Sequence, residues 1–185
     1  MKRVLIINTM ILILLAMIAL NPVALGQNNA GPHIDPTKSD PGNKKEIQMI
    51  HLSTYLLFNG TCKQAMEFYK SCFGGELTLS SVGQSPMKKM FPDSMHSKTL
   101  NAKLISENFD ISASDWLRPT QTPVKGNMVC LYLSGGKPQQ LKALFNKLSE
   151  GAEITDPLKI EAFGTYGALN DKFGVRWMFH TDQLD

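Results

Sequence analysis

The chain has 185 residues, 43% hydrophobic, 19% charged and 8% aromatic, enough for one domain of ordinary size with extensions, which excludes a disordered tail and a multi-span membrane protein. The net charge of +3 counts Lys2 and Arg3; without them the 19 basic residues become 17, against 16 acidic. A near-neutral chain without clustered Lys and Arg excludes nucleic acid or an anionic membrane surface as its main partner.

Residues 1–26 read as a secretory signal peptide: Lys2-Arg3, the apolar run Met10 to Leu20, and the small-x-small site Ala24-Leu25-Gly26 before Gln27. The alternative is a retained membrane anchor. The apolar stretch from Val4 to Leu20 contains Asn8 and Thr9 and falls short of the roughly 20 residues that span a bilayer. The expectation is therefore a secreted or periplasmic protein with no membrane attachment after cleavage. Residues 27–46, QNNAGPHIDPTKSDPGNKKE, have one large aliphatic, Ile34, and read as a flexible tether, with His33 solvated in it.

Three cysteines follow, Cys62, Cys72 and Cys130. Cys62 and Cys72 fall on one predicted helix, ten residues and so about 15 Å apart, beyond disulfide reach. Pairing of Cys130 with either stays open; the apolar surroundings favour buried free thiols. No His or basic cluster is placed by the sequence to activate a thiol.

From residue 47 onward one unit occurs twice. Strand HLSTYLLF, helix TCKQAMEFYKSCF and strand ELTLSSV are matched by strand MVCLYL, helix KPQQLKALFNKLSE and strand AEIT. A shift of 76 lays Gly60 on Gly136 and Gly75 on Gly151, and Ala65, Phe68, Tyr69 and Cys72 on Leu141, Leu144, Phe145 and Leu148. Both sets have the i, i+3, i+4, i+7 spacing of an amphipathic helix. Thr61 with Gln64 forms a capping-box pattern, Pro138 suits a first turn, and Gly74 and Gly151 suit helix ends. Strands TLNAKLI and FDISAS complete the first half; GTYGALN and VRWMFH complete the second. Each half reads as βαβββ, with halves at about 47–115 and 126–182 of a single 47–185 domain.

Paired βαβββ units with FNGTCKQAMEFYKSCFGGE and NDKFGVRWMF resemble the PhnB-like branch of the vicinal oxygen chelate (glyoxalase, bleomycin resistance, dioxygenase) superfamily, over about Thr54 to Thr181. The resemblance implies an α+β fold in which two βαβββ modules form a curved mixed sheet around a cleft, helices outside, and a homodimer. Metal-using members hold a divalent ion through His or Glu on strands facing the cleft. The matching positions here are Ser53 or Thr54, Ser112, Val129 or Cys130, and Met178, with Asn101 where such proteins often have His. No metal and no other cofactor is therefore expected.

The alternative is a metal-dependent lyase, isomerase or dioxygenase with a non-standard set around His180, helped by Asp115 or Glu161. Against it, His51 starts a strand, His96 lies in a loop and His180 ends a strand. No glycine-rich cofactor loop follows a strand, which speaks against methyl transfer. Ser85-Pro86-Met87-Lys88 is a chance S-x-x-K match in a loop. Asn59-Gly60-Thr61 is formally a glycosylation sequon on the predicted helix cap.

Alternation along the last strand puts Arg176, Met178 and His180 on one face and Val175, Trp177 and Phe179 on the other; the resemblance, which lays Met178 on a ligand position, implies that the first set faces the cleft and that Trp177 and Phe179 pack under the helices. Arg176 suits a carboxylate or phosphate; the competing reading is a solvated or structurally paired Arg. Asn101, Ser112 and Asp115 are further candidate ligand contacts. The Met-rich segment 83–98 either adapts to apolar ligands or folds back on the core, the latter favoured, and Trp116 is placed as a wall of the cleft. The leading expectation is metal-independent binding of a small apolar or amphipathic molecule; a ligand-free domain acting through dimerisation is the third reading.

Overall fold

Two runs of alternating and helical periodicity fold into two modules of the same order. In the computed structural model, which describes residues 53–183, the first module has β1 (Thr54–Phe58), α1 (Cys62–Phe73), β2 (Glu76–Ser81), β3 (Thr99–Ile105) and β4 (Asp110–Asp115). The second has β5 (Leu131–Ser134), α2 (Pro138–Leu148), β6 (Glu153–Glu161), β7 (Gly164–Asn170) and β8 (Arg176–Thr181). The proposed signal peptide, the tether and His51 lie outside the described residues.

The expected α+β pair of βαβββ modules is what forms, and its mixed sheet comes as two four-stranded sheets, ordered β1-β4-β3-β2 and β5-β8-β7-β6. In each, the first strand pairs in parallel with the last and the remaining pairs are antiparallel. The parallel pair follows from chain order: a helix must carry the chain back before the last strand returns beside the first.

Each helix buries the stripe its spacing marks. α1 buries Cys62, Ala65, Met66, Tyr69 and Cys72, and α2 buries Leu141, Phe145 and Leu148. They join Leu104, Ile111, Trp177 and Phe179 in one core that spans both modules. Trp177 meets Tyr69 edge-on at 5.5 Å, and Phe179 meets Phe145 at 5.0 Å. Trp177 and Phe179 thus pack under the helices, as alternation taken with the resemblance implies.

Three sequence expectations change in detail. Thr61 precedes α1 but makes no side-chain cap; that cap comes from Asp115, described below. At α2 the cap residue is Lys137, whose N–H donates to Gln140 Oε1 at 3.0 Å, with Pro138 opening the helix as expected. β5 starts only at Leu131, leaving Met128 and Val129 exposed. β6 runs through Pro157 to Glu161, longer than the AEIT run, because β6 is an edge strand where a missing N–H is tolerated and the register shifts just before and across the proline.

Residues 83–98 fold back on the first module. Three short 3-10 turns aim Met87, Phe91 and Met95 inward while Met90 stays exposed. His96 is used within that loop, its Nε2 against the carbonyls of Lys88 and Phe91 and its Nδ1 3.3 Å from Asp93. All three cysteines are free. No helix among the described residues is long and apolar enough to cross a membrane.

Candidate functional site

The helices cover one face of each sheet, so the chemistry available to a ligand lies on the other. β8 alternates half-buried Arg176, Met178 and His180 with buried Trp177, Phe179 and Thr181, which puts the three predicted residues on the open face of the second sheet. Asn101 and Ser112 occupy the open face of the first sheet, since their neighbours Ala102 and Ala113 belong to the core. Ser112 is paired with Tyr55 on one side and Lys103 on the other.

Asp115 is the exception. It is 3% exposed and points to the helix side. Oδ1 accepts the N–H groups of Gly60 at 2.9 Å and Cys62 at 3.0 Å, and Oδ2 accepts that of Thr99 at 2.8 Å. It caps α1 from another strand and ties down the start of β3, so it is not available as a ligand contact. Its charge adds to burial in pushing the Cys62 thiol up from 9.0 to about 12, with burial the larger cause.

His180 also has its two ring nitrogens engaged. Nε2 lies 3.0 Å from the Phe163 carbonyl, which only accepts, and Nδ1 lies 2.9 Å from the Tyr132 hydroxyl. In the neutral ring, Nε2–H therefore donates to Phe163 and the Tyr132 O–H donates to Nδ1. Tyr132 stacks on the imidazole at 19° and 6.3 Å, and Phe163 tilts over it at 5.9 Å.

A divalent ion of the kind the resemblance implies needs several oxygen or imidazole donors converging with a position left open. Among the described residues no group of three or more His, Cys, Asp and Glu converges. Asp115 serves the backbone, Glu161 is paired with Lys159 at 2.7 Å, and His180 is engaged as above. Ser112, Cys130 and Met178 offer a hydroxyl and two sulfurs, so this residue set does not fit a hard divalent ion.

The main cavity, about 770 Å³, opens between β1, the linker of residues 116–130 and the β7–β8 turn. Tyr55, Leu57, Trp116, Val129, Phe173 and Val175 give it apolar and aromatic walls. Trp116 is thus a wall, as expected, held by Nε1–H donating to the Gln121 carbonyl at 2.9 Å with the Arg118 guanidinium 5.5 Å over its ring. Of the six predicted site residues only Arg176 lines this cavity. Lys125 and Lys172 line it too, and no carboxylate among the described residues does. Lys172 is held by Glu150 at 2.8 Å and sits 4.0 Å over the Phe68 ring. No carboxylate among the described residues pairs with Arg176.

The sequence marks Trp116 to Lys125 as the link between the halves but does not place Lys125 at the cavity. WLRPTQTPVKGN shows as a Pro- and Gly-containing connection, and its seat beside the β7–β8 turn is a tertiary fact. Gly174, at φ 83°, leaves room there for the Lys125 side chain, whose Nζ would lie 2.6 Å from any Cβ added at that position.

The family model for 3-demethylubiquinone-9 3-methyltransferase matches residues 50–180, most of the chain. The chain belongs to this PhnB-like family. Among solved structures, the family member is similar to protein PA1353 from Pseudomonas aeruginosa, 29% identical, with a TM-score of 0.66 over 74% of this chain and 100% of that one. It is also similar to a putative 3-demethylubiquinone-9 3-methyltransferase, PhnB protein, from Bacillus cereus, 22% identical, with a TM-score of 0.57 over 70% and 98% of the two chains. A glyoxylase/bleomycin resistance protein/dioxygenase domain from Frankia sp. EAN1pec has the same fold, at 16% identity and a TM-score of 0.51 over 73% and 93%. The PhnB-like fold expected from the resemblance is thereby established for this chain, and it is the fold of that glyoxylase/bleomycin resistance protein/dioxygenase domain.

Proposed function

We propose that this PhnB-like domain binds a small amphipathic anion, apolar body against Tyr55, Leu57, Trp116 and Val175 and acidic head on Arg176, without a divalent ion holding it. The observation that carries the reading is the pairing of an apolar cavity with a guanidinium that has no carboxylate partner among the described residues. A guanidinium presents two parallel N–H donors to a carboxylate or phosphate, and the surrounding walls strengthen that contact by lowering the local dielectric. Lys125 adds charge at the mouth. Asn101 and Ser112, on the open face of the other sheet, remain candidates for contact with a longer ligand. Secretion, a homodimer and the absence of any cofactor belong to the same proposal. The metal-dependent alternative around His180 is not favoured, because its nitrogens and its suggested helpers are already engaged.

The test is a fluorescence titration of the full chain with 8-anilinonaphthalene-1-sulfonate, an amphipathic anion, beside native mass spectrometry of the chain as purified. Saturable binding that weakens about 10- to 100-fold in Arg176→Ala, the loss of one charge-assisted contact, supports the reading. Equal binding by the variant, or none by the parent chain, overturns it.

A further inference from the structure

Cys130 Sγ–H donates to Met178 Sδ at 3.1 Å, a thiol and a thioether brought together from sequence positions 48 apart. Cys62 and Cys72 are buried on the inner face of α1, and burial is the main cause that raises both thiols above their ordinary value. Cys130 is the partly exposed cysteine, and Met178 is half-buried on the open face. Cys130 also lines both the main cavity and a smaller one of about 290 Å³ beside β5, so solutes reach the pair.

Two sulfurs are soft, polarisable donors that select Cu(I) and its analogue Ag(I) over Mg, Ca or Mn. We propose that Cys130 and Met178 form a binding site for a soft monovalent cation, Cu(I) or Ag(I). As the ion binds, the Cys130 thiol proton leaves to solvent and an Sγ–metal bond replaces the S–H bond. The Met178 lone pair supplies the second bond. Thiolate and monovalent ion cancel in charge, so the site stays neutral beside the Arg176 that precedes Met178 on the same face. Two bonds of about 2.3 Å set the sulfurs up to roughly 4.6 Å apart, an opening that a rotamer change in the unbranched Met178 side chain supplies. The site is independent of the anion-binding proposal, which depends on Arg176 and not on sulfur.

The probe is silver nitrate, titrated calorimetrically into the full chain in chloride-free buffer. One Ag(I) per chain is expected, with about one proton released per ion, read by repeating the titration in buffers of different ionisation enthalpy. Met178→Leu, nearly volume-conserving, is expected to weaken binding at least 10-fold and Cys130→Ser further. Met178→Leu binding like the parent chain would mean capture by a single thiol, and retained binding in Cys130→Ser would place the ion elsewhere; either result overturns the site. X-ray absorption of the parent complex needs no variant to fold: two sulfur ligands support the pair and one sulfur overturns it.

Discussion

The Tyr69 hydroxyl donates to Asp171 Oδ2 at 2.7 Å, joining α1 of the first module to the β7–β8 turn of the second across 102 residues of sequence. The same Oδ2 accepts Trp177 Nε1–H at 2.9 Å, and Oδ1 accepts the N–H groups of Phe173 and Val175, each at 2.9 Å. One buried carboxylate thus answers four donors and holds the turn that floors the main cavity. Burial and the facing Asp171 charge push the Tyr69 hydroxyl far above its ordinary value, so it stays a donor.

Tyr69→Phe should destabilise the domain by about 1.5–3 kcal/mol, the range for a hydrogen bond to a charged group. Asp171→Ala should cost more, because it strands Tyr69, Trp177 and two backbone donors in a place water reaches poorly. Urea unfolding of both variants and of the double variant checks this. The double variant should cost less than the sum, since the two side chains share one contact.

Asp115→Ala should cost about 2 kcal/mol or more, since it removes the cap of α1 and the tie to Thr99 together. Asp115→Asn should cost less: its oxygen still serves Gly60 and Cys62, while its amide faces the Thr99 N–H as a second donor. Denaturant midpoints give the order. Neither variant should alter 8-anilinonaphthalene-1-sulfonate affinity of the folded protein, because Asp115 lies on the helix side of its sheet.

Alkaline pH should loosen the fold through Cys62. The unfolded thiol ionises near 9.0 and the folded one at about 12. Between those values the folded state holds the extra proton, so stability is intact below about pH 9 and falls as pH rises toward 12, with a slope approaching about 1.4 kcal/mol per pH unit. Thermal melts across pH 8 to 11 should show the decline. Cys62→Ala should make the decline shallower without abolishing it, because the Cys72 thiol and the Tyr69 hydroxyl are raised in the same direction, and it should lower stability at neutral pH, since it leaves a small void beneath α1.

Arg176→Lys should recover little of the affinity lost in Arg176→Ala. A lysine keeps the charge but offers a point contact where the guanidinium offers a fork. Titrations at about 50 and 500 mM salt separate the two contributions: the charge part weakens with screening, whereas the desolvated fork changes less.

Much of this architecture is legible in the residues alone, for identifiable reasons. The shift of 76, the helical spacing of Ala65, Tyr69 and Cys72 and of Leu141, Phe145 and Leu148, and the alternation from Arg176 to Thr181 all depend on which side of an element faces oil. That is a local property, set by periods of 3.6 and 2. β6 ran past its apparent end because an edge position, which no local pattern reveals, excuses Pro157.

The site divides along the same line. Alternation alone put Arg176, Met178 and His180 on one face, and the place of Trp116 next to Asp115 in the link between the halves put it beside the cleft. Only the tertiary structure turned Asp115 from a candidate ligand contact into a helix cap, engaged both nitrogens of His180, and set Cys130 against Met178. Side-chain direction follows from backbone period, but a polar group's partner follows from where distant strands come to rest, and a buried carboxylate takes whichever unpaired N–H groups the fold brings to it.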